Sequence, residues 1–158
     1  MCKQKIMITE IDANLLEYNL DGIIHQTNCF HCQSGGIAAR IKIKYPCAYE
    51  ADLLTKRGDR EKMGTFSLGI NPTDNKFIYN MYSQYSFSMG SKHTSYDAMY
   101  DGLMLIEKHA GQNLIQRIGL PKNMGSVLGG GKWSIVRSII DEVFKSSNVD
   151  LYICNYEG

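Results

Sequence analysis

The residues able to do chemistry crowd into one stretch, where Asn28, Cys29, His31, Cys32 and Ser34 are followed directly by Gly35 and Gly36. A histidine titrates near neutral pH and can serve as a general acid or base. Cys29 and Cys32 form a CxxC with His31 between the thiols, so three chemistries compete: a redox dithiol at a strand-to-helix turn, a zinc site, or two reduced loop cysteines. Gly35 and Gly36 weaken a helix starting at the second cysteine, and no second CxxC or HxxxH completes a set of four zinc ligands. Two reduced thiols are the preferred reading, and neither a metal nor a cofactor is expected. Glycines between a strand and a helix let a ligand approach the backbone and leave N–H groups at the helix start, which favours an anion, phosphate above all. A second glycine-rich stretch, KNMGSVLGGG over 122–131, also opens a helix.

The elements that must carry these loops follow from periodicity. The run GIIHQT over 22–27 is apolar and bounded by Asp21 and Asn28, as a buried strand should be. Ile37, Ala38, Ile41 and Tyr45 then recur at helical spacing, with Arg40, Lys42 and Lys44 off that stripe. Further strands are predicted over 5–11, 65–70, 76–83, 113–120 and 149–155. The third and fourth of the six form an antiparallel hairpin through the turn Asn71-Pro72-Thr73-Asp74-Asn75. Asn14, Leu15 and Leu16 follow the first strand as a turn. Helices are predicted over 46–56, over 94–109 with a capping-box-like start at Thr94 and Asp97, and over 133–144. Residues 85–93 form a polar loop that could cover a ligand. Alternating strands and helices with one hairpin give an α/β class with a mixed sheet, in which the two glycine loops gather at the carboxyl ends of strands, where ligands bind.

Composition bounds the rest. The chain has 158 residues, enough for one domain over 1–158 with a real core. Hydrophobic and charged fractions of 44% and 21% are those of a globular protein, and a net charge of +1 gives no general attraction to nucleic acid or membrane. No apolar run approaches the ~20 residues of a membrane helix, and no signal peptide opens the chain, so a cytoplasmic protein is expected. The five cysteines are odd in number and scattered, which argues against a disulfide framework. His25, inside a strand, reads as a packed core residue, His93 as a surface residue flanking a helix, and His109 as interacting with its own helix end. Tyr79, Tyr82, Tyr85 and Phe87 suggest an aromatic platform for a base, although strand alternation would bury about half of them.

Four segments together resemble a macrodomain: ITEIDANLLEYNLDGIIHQTN, CFHCQSGGIAARIKIKYPCAYEAD, FIYNMYSQ with HTSYDAMYDGL, and LPKNMGSVLGGGKWSIV. Each is weak alone; their order and spacing make the match specific and extend it over nearly the whole chain. The resemblance implies a three-layer αβα macrodomain-like fold with a mixed central sheet, holding ADP-ribose or a derivative. It places Asn14 and Leu15 on the adenine side, and Ser34, Gly35, Gly36 and Ile37 along the diphosphate. Ser126, Val127, Leu128, Gly129 and Gly130 form the opposite wall, and Asn28 stands by the distal ribose. The segment resembles the branch containing ADP-ribose 1″-phosphate phosphatases and is related to terminal ADP-ribose glycohydrolases. The lysine and aspartate of those glycohydrolases fall at Gln84 and the glycine run here, so their covalent lysine route is not expected.

The remaining polar set, His31, Asn28, Asn80 and Gln84, suits hydrolysis of ADP-ribose 1″-phosphate, with His31 transferring a proton and the amides orienting water and ribose phosphate. His31 as a plain solvent-exposed loop residue stands beside that reading. Two other functions stay open: a glycohydrolase acting on ADP-ribosylated protein or nucleic acid, and a non-catalytic binder. A monomer without a membrane partner is expected.

Overall fold

A computed structural model describes residues 8–87, 93–127 and 129–156. Six strands, β1 (Ile8–Asn14), β2 (Gly22–Thr27), β3 (Phe66–Ile70), β4 (Phe77–Tyr82), β5 (Arg117–Pro121) and β6 (Asp150–Tyr156), form one sheet in the order β1-β6-β5-β2-β4-β3. All neighbours pair parallel except β3, which pairs antiparallel with β4 in a register that sets Phe66 beside Met81 and Ile70 beside Phe77. The expected hairpin is therefore present. Its turn carries Asn75 at φ 60°, and the Asn71 amide donates to Asp74.

Helices α1 (Gly36–Lys44) and α2 (Pro46–Leu53) cover one face of the sheet, and α3 (Tyr96–Gln112) and α4 (Trp133–Phe144) cover the other. Ile23, Ile78 and Cys154 point from the sheet into a core with Leu15, Ile41, Tyr45 and Ala48. Their neighbours Ile24, Tyr79, Leu151 and Ile153 point the opposite way, against Met99, Leu103, Ile106, Val136, Ile140 and Phe144. This period-2 division puts a core on both faces, which is why the central strands read as continuous apolar runs. The result is the three-layer αβα architecture with a mixed sheet.

Several boundaries differ from expectation, α2 for one ending at Leu53 rather than 56, and three differences have a clear cause. β1 ends three residues past its predicted end at 11, because pairing with β6 continues past a register irregularity between Ile11 and Asn14 to set Asn14 beside Tyr156; positions 5–7 of the predicted strand lie outside the described residues. β5 begins at Arg117 rather than 113: α3 extends to Gln112, and Leu114 at φ 57° breaks the chain direction. Ile115, whose hydrophobicity suggested strand, packs on the core from the connecting turn. Helix α3 is capped by Ser95, whose hydroxyl accepts from the Ala98 N–H, and not by Thr94. The Thr94 side chain faces the second glycine loop. His109 likewise does not serve its helix end: its Nδ1 is 2.9 Å from the Tyr79 hydroxyl, inside an aromatic group with Phe66 and Phe77.

Candidate functional site

The carboxyl ends of β2, β4 and β5 open into a cleft of about 410 Å³. Its floor is the end of β2, Gln26 and Thr27, with Asn28 beyond it. One wall is the loop from Cys32 through Ser34, Gly35 and Gly36 into Ile37 and Ala38 of α1, and the other runs from Pro121 through Asn123, Met124, Gly125 and Val127 to Gly129. Gln84 and Phe87, following β4, close one end.

The first wall is built for an anion. Helix α1 starts at Gly35, whose φ of −123° and ψ of 152° are extended, and passes through Gly36 at φ 56°, a left-handed conformation that suits glycine. No side chain caps this helix, so the first-turn N–H groups, which by geometry have no acceptor within the helix, face the loop. Ser34 places a hydroxyl here, 3.2 Å from the Cys32 thiol. The second wall turns at Asn123, Gly125 and Gly130, all at positive φ.

Asn28, Gln84, Ser34, Gly35, Gly36, Ile37, Val127 and Gly129 all line the cleft. Ser126 and Gly130 lie in the same loop without lining it; the Ser126 hydroxyl donates back to the Asn123 carbonyl. Leu128 lies outside the described residues. Leu15 is fully buried in the α1 side of the core, and the Asn14 carbonyl oxygen Oδ1 accepts from the Leu16 N–H, so this turn is not part of the described lining.

The two residues expected to do most chemistry are committed elsewhere. Asn80 is fully buried: its Nδ2 donates to the Ala48 carbonyl at 2.7 Å and to Ser67 Oγ at 3.0 Å. Its Oδ1 accepts from His25 Nε2 at 2.7 Å. The structure therefore sets Asn80 under α2 and not in the cleft. His31 sits at φ 58°, which turns its ring away from the glycine loop, and Nε2 donates to the Thr55 carbonyl at 2.9 Å. It is half-buried and outside the lining. Even Asn28 is occupied, because Oδ1 accepts from Phe30 N–H at 2.9 Å and Nδ2 donates to the Cys32 carbonyl at 2.6 Å, closing the 28–32 turn. Gln84 donates to the Ser86 carbonyl at 2.6 Å.

Beneath the first loop lies a polar group that sequence reading missed. Asp52 of α2 is fully buried, and its carboxyl accepts from Tyr82 Oη at 2.6 Å and from Gln33 Nε2 at 3.0 Å. Gln33 immediately precedes the first glycine loop, so Asp52 anchors that loop from below. Beside it, Lys62 Nζ donates to Thr55 Oγ1 at 2.9 Å. His25, with no exposure, is pushed down to about 4, chiefly because burial penalises its charged form. Tyr82 is pushed above the ordinary tyrosine range, again by burial first.

Of the described residues that line the cleft, the Cys32 thiol is the one ionisable side chain. Asn123, Met124 and Gly125, also in the lining, belong to the expected second glycine loop, whereas Gln26, Thr27 and Pro121 were unforeseen, although the rule that ligands sit at strand carboxyl ends could have indicated them at the ends of β2 and β5. Of the expected aromatic platform, Tyr79 and Tyr82 are core residues and the Tyr85 hydroxyl donates to Gly58, leaving Phe87, 51% exposed, at the cleft.

This strand order, three-layer packing and pair of glycine walls constitute the macrodomain fold. Among solved structures, the chain is similar to the macrodomain of Mycobacterium tuberculosis DarG, with a TM-score of 0.78 at 21% identity over 95% of this chain and 98% of that one. It is also similar to Thermosipho africanus DarTG in complex with ADP-ribose, with a TM-score of 0.76 at 16% identity, covering 96% of this chain and 42% of that one. In sequence it is 28% identical over 138 residues to an uncharacterized 17.5 kDa protein of the tk-vs intergenic region of Enterobacteria phage T4, covering 85% of this chain and 86% of the phage protein. No protein-family model matches the chain.

Proposed function

We propose that this cleft binds ADP-ribose and its derivatives, and that the chain hydrolyses ADP-ribose 1″-phosphate to ADP-ribose and phosphate. The observation that carries the binding half is the pairing of an uncapped helix start at Gly35 and Gly36 with a second glycine wall across a cleft of about 410 Å³. A diphosphate needs backbone donors more than charged side chains, and these walls offer them. The likeness to a fold solved with ADP-ribose bound supports the same reading.

For the hydrolytic half, the cleft lining offers the Ser34 hydroxyl and the Asn28 and Gln84 amides, and His31 is the nearest imidazole in sequence to the first wall. Acting on a phosphate there requires its ring to release the Thr55 carbonyl. A positioned acid or base contributes roughly 10²–10⁴-fold. His31→Ala should therefore lower phosphate release at least a hundredfold or so while leaving ADP-ribose affinity, measured by calorimetry, near that of the unaltered protein. Undiminished phosphate release would remove His31 from the reaction. Absence of any ADP-ribose binding would overturn the whole reading.

A second reading, a binder without catalysis, is favoured by the lining itself, where no described carboxylate, amine or imidazole stands. It predicts saturable ADP-ribose binding with no phosphate released from the 1″-phosphate. Release of ADP-ribose from modified protein or nucleic acid, assayed in the same series, would instead point to a glycohydrolase.

A further inference from the structure

The second glycine wall is wrapped around one side chain that does not line the cleft. Thr94 is 4% exposed and joins the loop by both its backbone and its hydroxyl. Its Oγ1 donates to the Gly125 carbonyl at 2.7 Å and accepts from Gln26 Nε2 at 3.1 Å, while its N–H donates to the Gly129 carbonyl at 3.0 Å. The neighbouring His93 N–H donates to the same Gly129 carbonyl at 2.8 Å, and the Gly131 N–H closes the loop on the Gly125 carbonyl at 2.9 Å. The glycines are the counterpart of this peg. A Cβ at Gly129 would stand 2.2 Å from Thr94 Oγ1, one at Gly125 would stand 3.2 Å from it, and one at Gly131 would stand 3.3 Å from Thr94 Cγ2. Three glycines thus allow the backbone to close on a single threonine.

We infer that Thr94 is the positioning residue for this wall: it fixes where the Gly125 and Gly129 carbonyls stand, and thereby the width of the cleft facing the first loop. The inference rests on the proposed function in so far as the ligand is ADP-ribose. The geometry is demanding. An O–H···O contact closes at about 2.7 Å, whereas a methyl carbon facing a carbonyl oxygen needs at least about 3.3 Å. Replacing the hydroxyl by a methyl, as in Thr94→Val, both removes the donor and pushes the Gly125 carbonyl outward by roughly 0.6 Å. Thr94→Ser keeps the donor.

The test uses the full chain and two readouts, calorimetry with ADP-ribose and amide hydrogen exchange of the Gly131 N–H without ligand. Thr94→Val should weaken ADP-ribose by about tenfold and speed exchange at Gly131, and Thr94→Ser should restore both to within about twofold. Thr94→Ala, which removes the donor without adding bulk, replaces Thr94→Val should the latter fail to fold, with the same expectation. Unchanged affinity in the hydroxyl-free variant overturns the inference, whether or not exchange accelerates. Failure of the unaltered protein to bind ADP-ribose would sink the ligand assignment instead. The exchange difference between the hydroxyl-free variant and Thr94→Ser would then decide by itself whether Thr94 holds the loop.

Discussion

Protonation of His25 should govern the stability of this fold on mild acidification. Its Nε2 donates to Asn80 Oδ1, a direction fixed by the Asn80 Nδ2 contacts to Ala48 and Ser67. Nδ1 is consequently a buried lone pair without a partner among the described residues, and a proton placed there would find no acceptor among them. Burial holds the folded-state value at about 4 against an ordinary 6.5. Below pH 6.5 the unfolded chain binds this proton and the folded chain does not, so stability falls as pH drops from 6.5 and stops falling below about 4. The full difference is about 3 kcal/mol, and about 2 kcal/mol of it is lost between pH 7 and pH 5, above most carboxylate titration. That corresponds to a fall of about 4–8 °C in melting temperature for a chain of this size. Urea unfolding of the unaltered protein and of His25→Gln at pH 7, 6, 5.5 and 5 measures it. The substitution has its own constant effect on stability, but His31, His93 and His109 are common to both proteins, so the difference in slope isolates His25. A His25→Gln protein that loses the same free energy between pH 7 and pH 5 as the unaltered one would refute the argument.

Two more outcomes follow from the site. Tyr82→Phe removes the donor 2.6 Å from the buried Asp52 carboxyl and should lower stability by roughly 2 kcal/mol, read from the urea midpoint at constant slope. Cys32 lines the cleft while Cys47 does not, so saturating ADP-ribose should slow alkylation of Cys32 severalfold and leave Cys47 unaffected, as followed site by site in mass spectra. Equal protection of both thiols, or of neither, would count against ligand in this cleft.

The strands and glycine walls were legible because their signals are local. GIIHQT predicts β2 to the residue, and the stripe of Val136, Ile140 and Phe144 predicts α4. Asn80 was illegible because β4 is buried on both faces, so its strand offers no polar side for alternation to mark; a polar residue there finds partners within the fold. The direction of His31 depends on one backbone angle, φ 58°, which no spacing rule supplies. The wall residues at strand ends were missed for a simpler reason. Gln26 and Thr27 looked like the end of a strand; the carboxyl-end rule marks them as candidates, and the pairing order, with β2 between β4 and β5, sets them at the cleft.

The polar side chains of this protein act chiefly on its loops. Asp52 holds Gln33 beneath the first wall, and Thr94 with Gln26 holds the Gly125 carbonyl behind the second. The first wall then presents the N–H groups of an uncapped helix start, which spares the ordering cost that flexible side-chain donors would bring. Peptide amides do not titrate in the range where His25 does, so acid reaches this cleft through the stability of the layers beneath it rather than through the lining. Under the proposed hydrolysis, by contrast, side chains must leave their present partners: His31 would release the Thr55 carbonyl, and the Gln84 amide would release the Ser86 carbonyl.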